Sequence, residues 1–202
     1  MTHTAILVID IQQSFTALPR WRAVSDPHIA TRAQLLVDDA RRSGDEVIWI
    51  LHAEPGTGTA FDPSTGLVEP QPGLDPADSE PVLIKTSRNA FTTTRLQQML
   101  TEHGVRRLRV CGIQTEQCCE TTARLAADLG YDVDFVIDAT ATFPIPHRDA
   151  NPDQPYEQLL LDPRTLGTAA VIERTEYALA GRFARILTID DVRSERAVTV
   201  PQ

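Results

Sequence analysis

Residues 5–9, AILVI, form an unbroken apolar run near the start of the chain and stop at Asp10. A strand with one face in water alternates apolar and polar residues. A run without alternation needs cover on both faces, the condition met in parallel sheets flanked by helices. Runs of similar character stand at residues 46–51, 82–84, 108–111, 131–137 and 184–189. Between them lie stretches with a helical period. Ile29, Ala33, Leu36, Val37 and Ala40 share one face, opened by Asp26 and Pro27 and closed by Gly44. Leu96, Met99 and Leu100 share another, entered near residues 92–94 and closed by Gly104. Leu125, Ala126 and Leu129 make a third stripe, and residues 165–179 a last amphipathic helix before Gly181. Residues 138–148 read as a turn-rich connection, 151–163 as irregular with a short helix near 156–161, and 190–202 as a polar tail. This alternation of strand and helix predicts a three-layer α/β/α sandwich around a mostly parallel sheet of about six strands.

At 202 residues, 42% of them hydrophobic, the chain has the length and apolar content of one domain spanning residues 1–202. Its 28 acidic residues outnumber 19 Lys and Arg, giving a net charge of −9 and a pI near 5.0. A nucleic-acid backbone or an anionic membrane surface is therefore repelled, and neither is expected as a partner. The first apolar run follows no basic segment and is too short to span a bilayer. The three cysteines include an adjacent pair and no C-x-x-C. Together these features predict a cytoplasmic protein with reduced thiols.

In open parallel sheets, ligands are handled where the strands end. Asp10 closes the first apolar run and is a candidate general base; a turn or capping aspartate is the alternative reading. Lys85 follows the run at 82–84, either as a solvated strand end or as a cation that holds Asp10 ionised and steadies a thiolate. Residues 107–130, RLRVCGIQTEQCCETTARLAADLG, read as strand, turn and helix, with Thr115 as a plausible N-cap and Cys118 and Cys119 in the first turn. Unpaired amides and the positive end of the helix dipole favour a thiolate there and would favour an oxyanion later; the alternative is a pair of small buried hydrophobes. Neighbours on a helix are rotated by about 100 degrees, so Cys118 and Cys119 cannot serve one pocket equally, nor easily form a relaxed disulfide. His52 follows the second run and reads as a structural histidine or as a ligand. Residues 53–81, dense in Gly, Pro, Asp, Ser and Thr, suit a specificity loop or a surface excursion. Phe91 faces either a ligand or the core.

Three segments in this order, AILVIDIQQSF, KTSRNAF and CGIQTEQCCETTARLAADLGYDV, are similar to those of the isochorismatase-like cysteine hydrolases. The resemblance runs over nearly the whole chain. It implies an Asp-Lys-Cys triad at Asp10, Lys85 and Cys118, and an oxyanion hole from the backbone amides of Gln114 and Cys118. A cis peptide at Ile113-Gln114 comes with that hole. Phe15, Phe91, Gln114 and Phe143 are the candidate substrate contacts. Members hydrolyse amide bonds of small molecules such as nicotinamide, carbamoyl compounds and maleamate. The implied mechanism is attack by the Cys118 thiolate, with Asp10 carrying the proton and Lys85 ordering both groups. No cofactor is implied. Nicotinamidases of the family bind a metal through an Asp-x-His pair after the second strand, whereas Ile50 stands here two residues before His52; no metal is therefore expected. The rival reaction is vinyl ether hydrolysis with Asp10 as acid and Cys118 dispensable, and a catalytically idle binding or assembly module is a third reading. Family members commonly form dimers or tetramers, so a homo-oligomer is expected.

Overall fold

A computed structural model describes residues 3–151 and 153–199. In chain order the elements are β1 (Thr4–Ile9), α1 (Gln13–Thr16), α2 (Ile29–Ser43), β2 (Glu46–His52), β3 (Val82–Lys85), α3 (Leu96–Glu102), β4 (Arg107–Ile113), α4 (Glu120–Asp128), β5 (Asp132–Ala141), α5 (Tyr156–Leu161), α6 (Thr168–Leu179), β6 (Arg185–Leu187) and α7 (Ile189–Thr199). The six strands are all parallel, in the order β3-β2-β1-β4-β5-β6.

β1 shows why an unbroken apolar run was required. Ala5, Leu7 and Ile9 pack on one face with Leu96, Leu100 and Ala123 from α3 and α4, whereas Ile6 and Val8 pack on the other with Ile29, Ala33, Leu36 and Val37 from α2. Every residue of the strand is buried, and each large side chain so covered contributes about 1.5–3 kcal/mol relative to exposure.

The strand order also fixes where a ligand can sit. The chain winds outward from β1 through β2 to β3, then returns to the other side of β1 and winds outward through β4 to β6. A crevice opens beyond the carboxyl ends where the winding reverses, here between β1 and β4. Asp10 leaves β1 at that point with φ 54, a left-handed conformation that costs a non-glycine residue about 1–3 kcal/mol and is concentrated at functional sites. Opposite it, Gly112 pairs with Ile9. At φ 139, a Cβ there would lie 2.0 Å from the Ile9 carbonyl oxygen, so only glycine lets the two strand ends approach. The β4–β5 register shifts at the same place, between Val110 and Gly112.

The structure differs from the sequence reading at several places. The strand expected over 184–189 is β6 at Arg185–Leu187, and Ile189 opens α7 instead. β5 continues through Ala141, because Ala139 and Ala141 are buried and the register shift lets the strand resume pairing with β4 at Thr140. Residues 190–199 are helical rather than a polar tail, and 200–202 lie outside the described residues. Thr188 and Asp191 cap α7 reciprocally, with Asp191 Oδ2 accepting from the Thr188 amide at 2.8 Å and Thr188 Oγ1 from the Asp191 amide at 3.1 Å, while Ile189 and Val192 bury against the sheet. Leu129, expected in the buried stripe of α4, is exposed at the end of the helix; Thr122, Ala123 and Ala126 fill that stripe. Among the described residues no helix is long and apolar enough to cross a membrane.

Candidate active site

The crevice holds a cavity of about 550 Å³ whose wall includes Asp10, Gln114 and Cys118. Lys85 lies beneath it, its side chain fully buried, and is reached through β3, whose register sets Lys85 beside His52 of β2. Lys85 Nζ donates to Asp10 Oδ2 at 2.7 Å and to Cys118 Sγ at 3.4 Å. The carboxylate, the cation and the sulfur expected from separate strand ends therefore meet around one ammonium group. Asp10 Oδ1 is buried without a hydrogen-bond partner, an open acceptor on the side of the carboxylate not taken by Lys85.

Burial dominates the electrostatics. It raises the Asp10 pKa above its ordinary value, with the Lys85 charge and the nearby Cys118 thiol acting in the opposite sense. Burial likewise pushes the Cys118 thiol up to about 12, and the neighbouring Asp10 carboxylate adds to the rise. This corrects the expectation of a resting thiolate. A helix end is worth about 0.3–1 kcal/mol, less than one pKa unit, whereas desolvation moves a buried group by as much as about 3–5 units. The first turn is also a π-segment, Thr115–Cys119, and Thr115 does not cap it; its hydroxyl donates to Thr140 Oγ1 at 2.9 Å. The resting site is a thiol beside an ion pair, and Cys118 needs a base to ionise it.

Cys119 is fully buried on the core side, and Cys111 is a fully buried residue of β4 with its Sγ 3.6 Å from the Leu7 carbonyl. Of the three cysteines, Cys118 alone lines the cavity. The Ile113-Gln114 peptide is cis, and Gln114 faces the cavity. Phe15 also lines it, edge-on to Phe61 at 5.0 Å and stacked on Phe143 at 5.9 Å. Two expected substrate contacts are displaced. Phe143 stands behind Phe15 in the core, and Phe91 stacks on Tyr131 at 6.2 Å in the opposite core layer, because the turn at Asn89 carries it away from Lys85.

Gln12 is a structural residue that sequence reasoning passed over. Its side-chain amide accepts from the His52 amide at 2.7 Å and donates to the His52 carbonyl at 3.0 Å, so it clamps the ends of β1 and β2. The adjoining part of the long loop is ordered against it: the Gln71 amide donates to the Ile11 carbonyl at 3.0 Å, and Ser14 Oγ to the Leu67 carbonyl at 2.9 Å. That loop contributes Glu54, Thr59 and Phe61 to the cavity wall, which favours the specificity-loop reading of 53–81. The wall also carries Arg20, from a 3₁₀ turn at Pro19–Ala23, and Tyr156, from α5. Neither position had a sequence signal, since both lie in short connecting helices without apolar period. His52 sits at the cavity edge with its pKa lowered by burial and by Lys85. Its Nε2 is 3.4 Å from Glu54 Oε1. Ile50 is fully buried in β2, and no cluster of three metal-binding side chains occurs among the described residues.

The family model for the Isochorismatase domain matches residues 4–156. The chain belongs to the isochorismatase family of hydrolases. The uncharacterized isochorismatase family protein YddQ of Bacillus subtilis (strain 168) is 34% identical over 140 residues, covering 69% of this chain and 78% of that protein. A streptothricin hydrolase of Streptomyces noursei is 37% identical over 144 residues, 70% of this chain and 56% of the relative. Among solved structures, a cysteine hydrolase from Pseudomonas syringae pv. phaseolicola 1448A superposes with a TM-score of 0.83 at 23% identity, covering 98% of this chain and 94% of its own. The shared architecture is the parallel, helix-flanked sheet described above.

Proposed function

We propose that this isochorismatase-family hydrolase is a cysteine amidohydrolase that cleaves a C–N bond of a small molecule through a thioester. The observation that carries the reading is the meeting of Asp10, Lys85 and Cys118 at the cavity wall, with Nζ at 2.7 Å and 3.4 Å from the carboxylate and the sulfur. Cys118 Sγ attacks the substrate carbonyl carbon as its proton passes to Asp10, whose raised pKa makes it a stronger base than a solvated carboxylate. The carbonyl oxygen takes up the negative charge and is met by the backbone amides of Gln114 and Cys118. Collapse of the adduct breaks the C–N bond, Asp10 returns the proton to the leaving nitrogen, and a thioester remains on Cys118. Water then attacks the thioester, Asp10 accepts its proton and passes it to the departing sulfur, and a carboxylic acid leaves. Lys85 holds Oδ2 throughout, which keeps Oδ1 turned to the moving proton, and its charge steadies the sulfur as it ionises. The name of the Streptomyces noursei relative supports hydrolysis as the reaction class.

The test is ammonia release from a panel of small primary amides, with Cys118→Ala beside the native chain. Covalent catalysis predicts a loss of at least about 10³-fold in the variant and an acyl adduct on residue 118 in the quenched native enzyme. Full activity of Cys118→Ala on the native substrate would instead support vinyl ether cleavage with Asp10 as acid. Ammonia release from no amide, together with no acyl adduct on residue 118, would leave an idle binding module.

A further inference from the structure

Arg20 presents a cation to the cavity that the protein leaves unmatched. The guanidinium lies over Phe143, 5.0 Å from the ring centroid, and 5.8 Å from that of Phe15. Its Nε is buried without a hydrogen-bond partner, and among the described residues no carboxylate pairs with it. The contrast with Arg22 is direct, since that side chain pairs with Glu157 at 2.6 Å. The same exposed ion pair spans from the Pro19–Ala23 turn to α5, the helix that carries Tyr156. The Tyr156 hydroxyl is a second buried polar group without a partner.

The two carboxylates that bear most on Arg20 are committed elsewhere. Glu54 Oε1 is 3.4 Å from His52 Nε2 and its Oε2 accepts from Thr59 at 3.2 Å. Glu116 accepts from Thr142 at 2.5 Å through Oε2 and from Gln117 at 3.5 Å through Oε1. Arg20 is half-buried, and a partly desolvated cation is normally paired or hydrogen-bonded. Its burial lowers the pKa of Arg20 and that of Tyr156 is raised for the same reason. The charged side chains that bear on Arg20 are Arg88, Glu116 and Glu54, with the neutral Tyr156 hydroxyl beside them, whereas the chief one for Asp10 is Lys85. Arg20 and Tyr156 thus form a second polar group of the same cavity, apart from the reacting thiol. Arg88 adds a further positive charge to the wall.

We infer that Arg20 and Tyr156 form a carboxylate-binding subsite, so that the substrate is a small amide carrying a carboxylate at its far end. This rests on the amidohydrolase reading for the word amide and not for the word carboxylate. The guanidinium fork fits a planar carboxylate through parallel hydrogen bonds, and the Tyr156 hydroxyl supplies another donor. The aromatic rings of Phe15 and Phe61 line the same cavity and suit an unbranched or planar carbon skeleton.

Binding is read first, by titration calorimetry of the full chain with succinate, glutarate and adipate, each against its neutral diamide. At least one dicarboxylate should bind in preference to its diamide, and Arg20→Gln should weaken that binding by about 10- to 100-fold, the usual worth of charge-assisted hydrogen bonds. Arg20→Lys should recover part of the loss, and Tyr156→Phe, which keeps the ring, should weaken binding by about 3- to 10-fold. Kinetics follow with succinamate and butyramide, where Arg20→Gln should raise KM for the charged amide with little change in kcat and affect the neutral amide several-fold less. No preference for any dicarboxylate, or equal binding by native chain and Arg20→Gln, would overturn the subsite, as would equal loss on both amides. Dicarboxylate binding without ammonia release from any amide would retain the subsite and refute the amidohydrolase reading instead.

Discussion

Replacing Lys85 by Met keeps a long unbranched side chain and removes the charge from a fully buried ion pair. Two unit charges 2.7 Å apart attract by about 6 kcal/mol at an effective dielectric constant of 20. Much of that is offset by the desolvation of both groups, and the net cost of removing one partner from a buried pair is about 3–5 kcal/mol. The cost depends on pH through Asp10. Its pKa is already raised in the native chain because burial outweighs Lys85, and removing a cation that opposes the rise lifts it further. A carboxyl whose folded pKa exceeds its unfolded value binds more protons when folded. Its contribution is therefore fully present at low pH and is lost as pH rises through the folded value. Lys85→Met should accordingly be destabilised by about 3–5 kcal/mol at pH 8 and by less at pH 5, toward the side on which a carboxyl with a raised pKa takes up its proton. Urea unfolding of both proteins at the two pH values measures this, and adding Asp10→Asn to the variant should restore at least about 2 kcal/mol at pH 8. A gap below about 1 kcal/mol, or the same gap at both pH values, would show that the pair is not a buried charged one.

Gly112→Ala should cost more than about 3 kcal/mol in the same unfolding assay, a large value for one methyl group, because the new Cβ meets the Ile9 carbonyl at 2.0 Å and the strands must part beside Asp10. With a cleavable amide in hand, the acid limb of kcat/KM should fall at a pH above 3.8, the ordinary value for the carboxyl, since activity is lost as Asp10 protonates and its pKa is raised.

The layers of the fold were readable because the strands carry their own signature. Val8 and Ile9 point to opposite faces and both are apolar, which only a sheet covered on both sides explains. Asp10 and Cys118 were readable for a related reason: each closely follows a buried strand, and the ends of parallel strands converge. Lys85 instead ends β3, an edge strand whose Val82 and Ile84 are exposed, so its run is apolar without being covered on both faces. Arg20 and Tyr156 were not, because their positions depend on how short connecting helices, distant from each other in sequence, fold back over the sheet. Phe91 misled by its nearness to Lys85 in sequence, which the turn at Asn89 undoes. The helix at the end of the chain had a visible signal, Thr188 three residues before Asp191, that was lost in a stretch rich in charge.

The correction to the state of Cys118 bears on how the proposed reaction can run in so dry a site. A standing thiolate next to an ionised Asp10 would place two negative charges and one positive charge in a buried pocket, which burial penalises. Ionised Asp10, protonated Lys85 and a neutral thiol sum to zero. Passing the thiol proton to Asp10 leaves a neutral acid, the same cation and a thiolate, which also sum to zero. Desolvation therefore bears on both arrangements with little difference in net charge, and the rise in the thiol pKa is matched by a rise in the pKa of its base. Lys85 touches both partners of the transfer, so its charge is set against the anion wherever the anion resides. Burial that would silence an isolated cysteine is thus compatible with a nucleophile here, provided the proton has an internal destination.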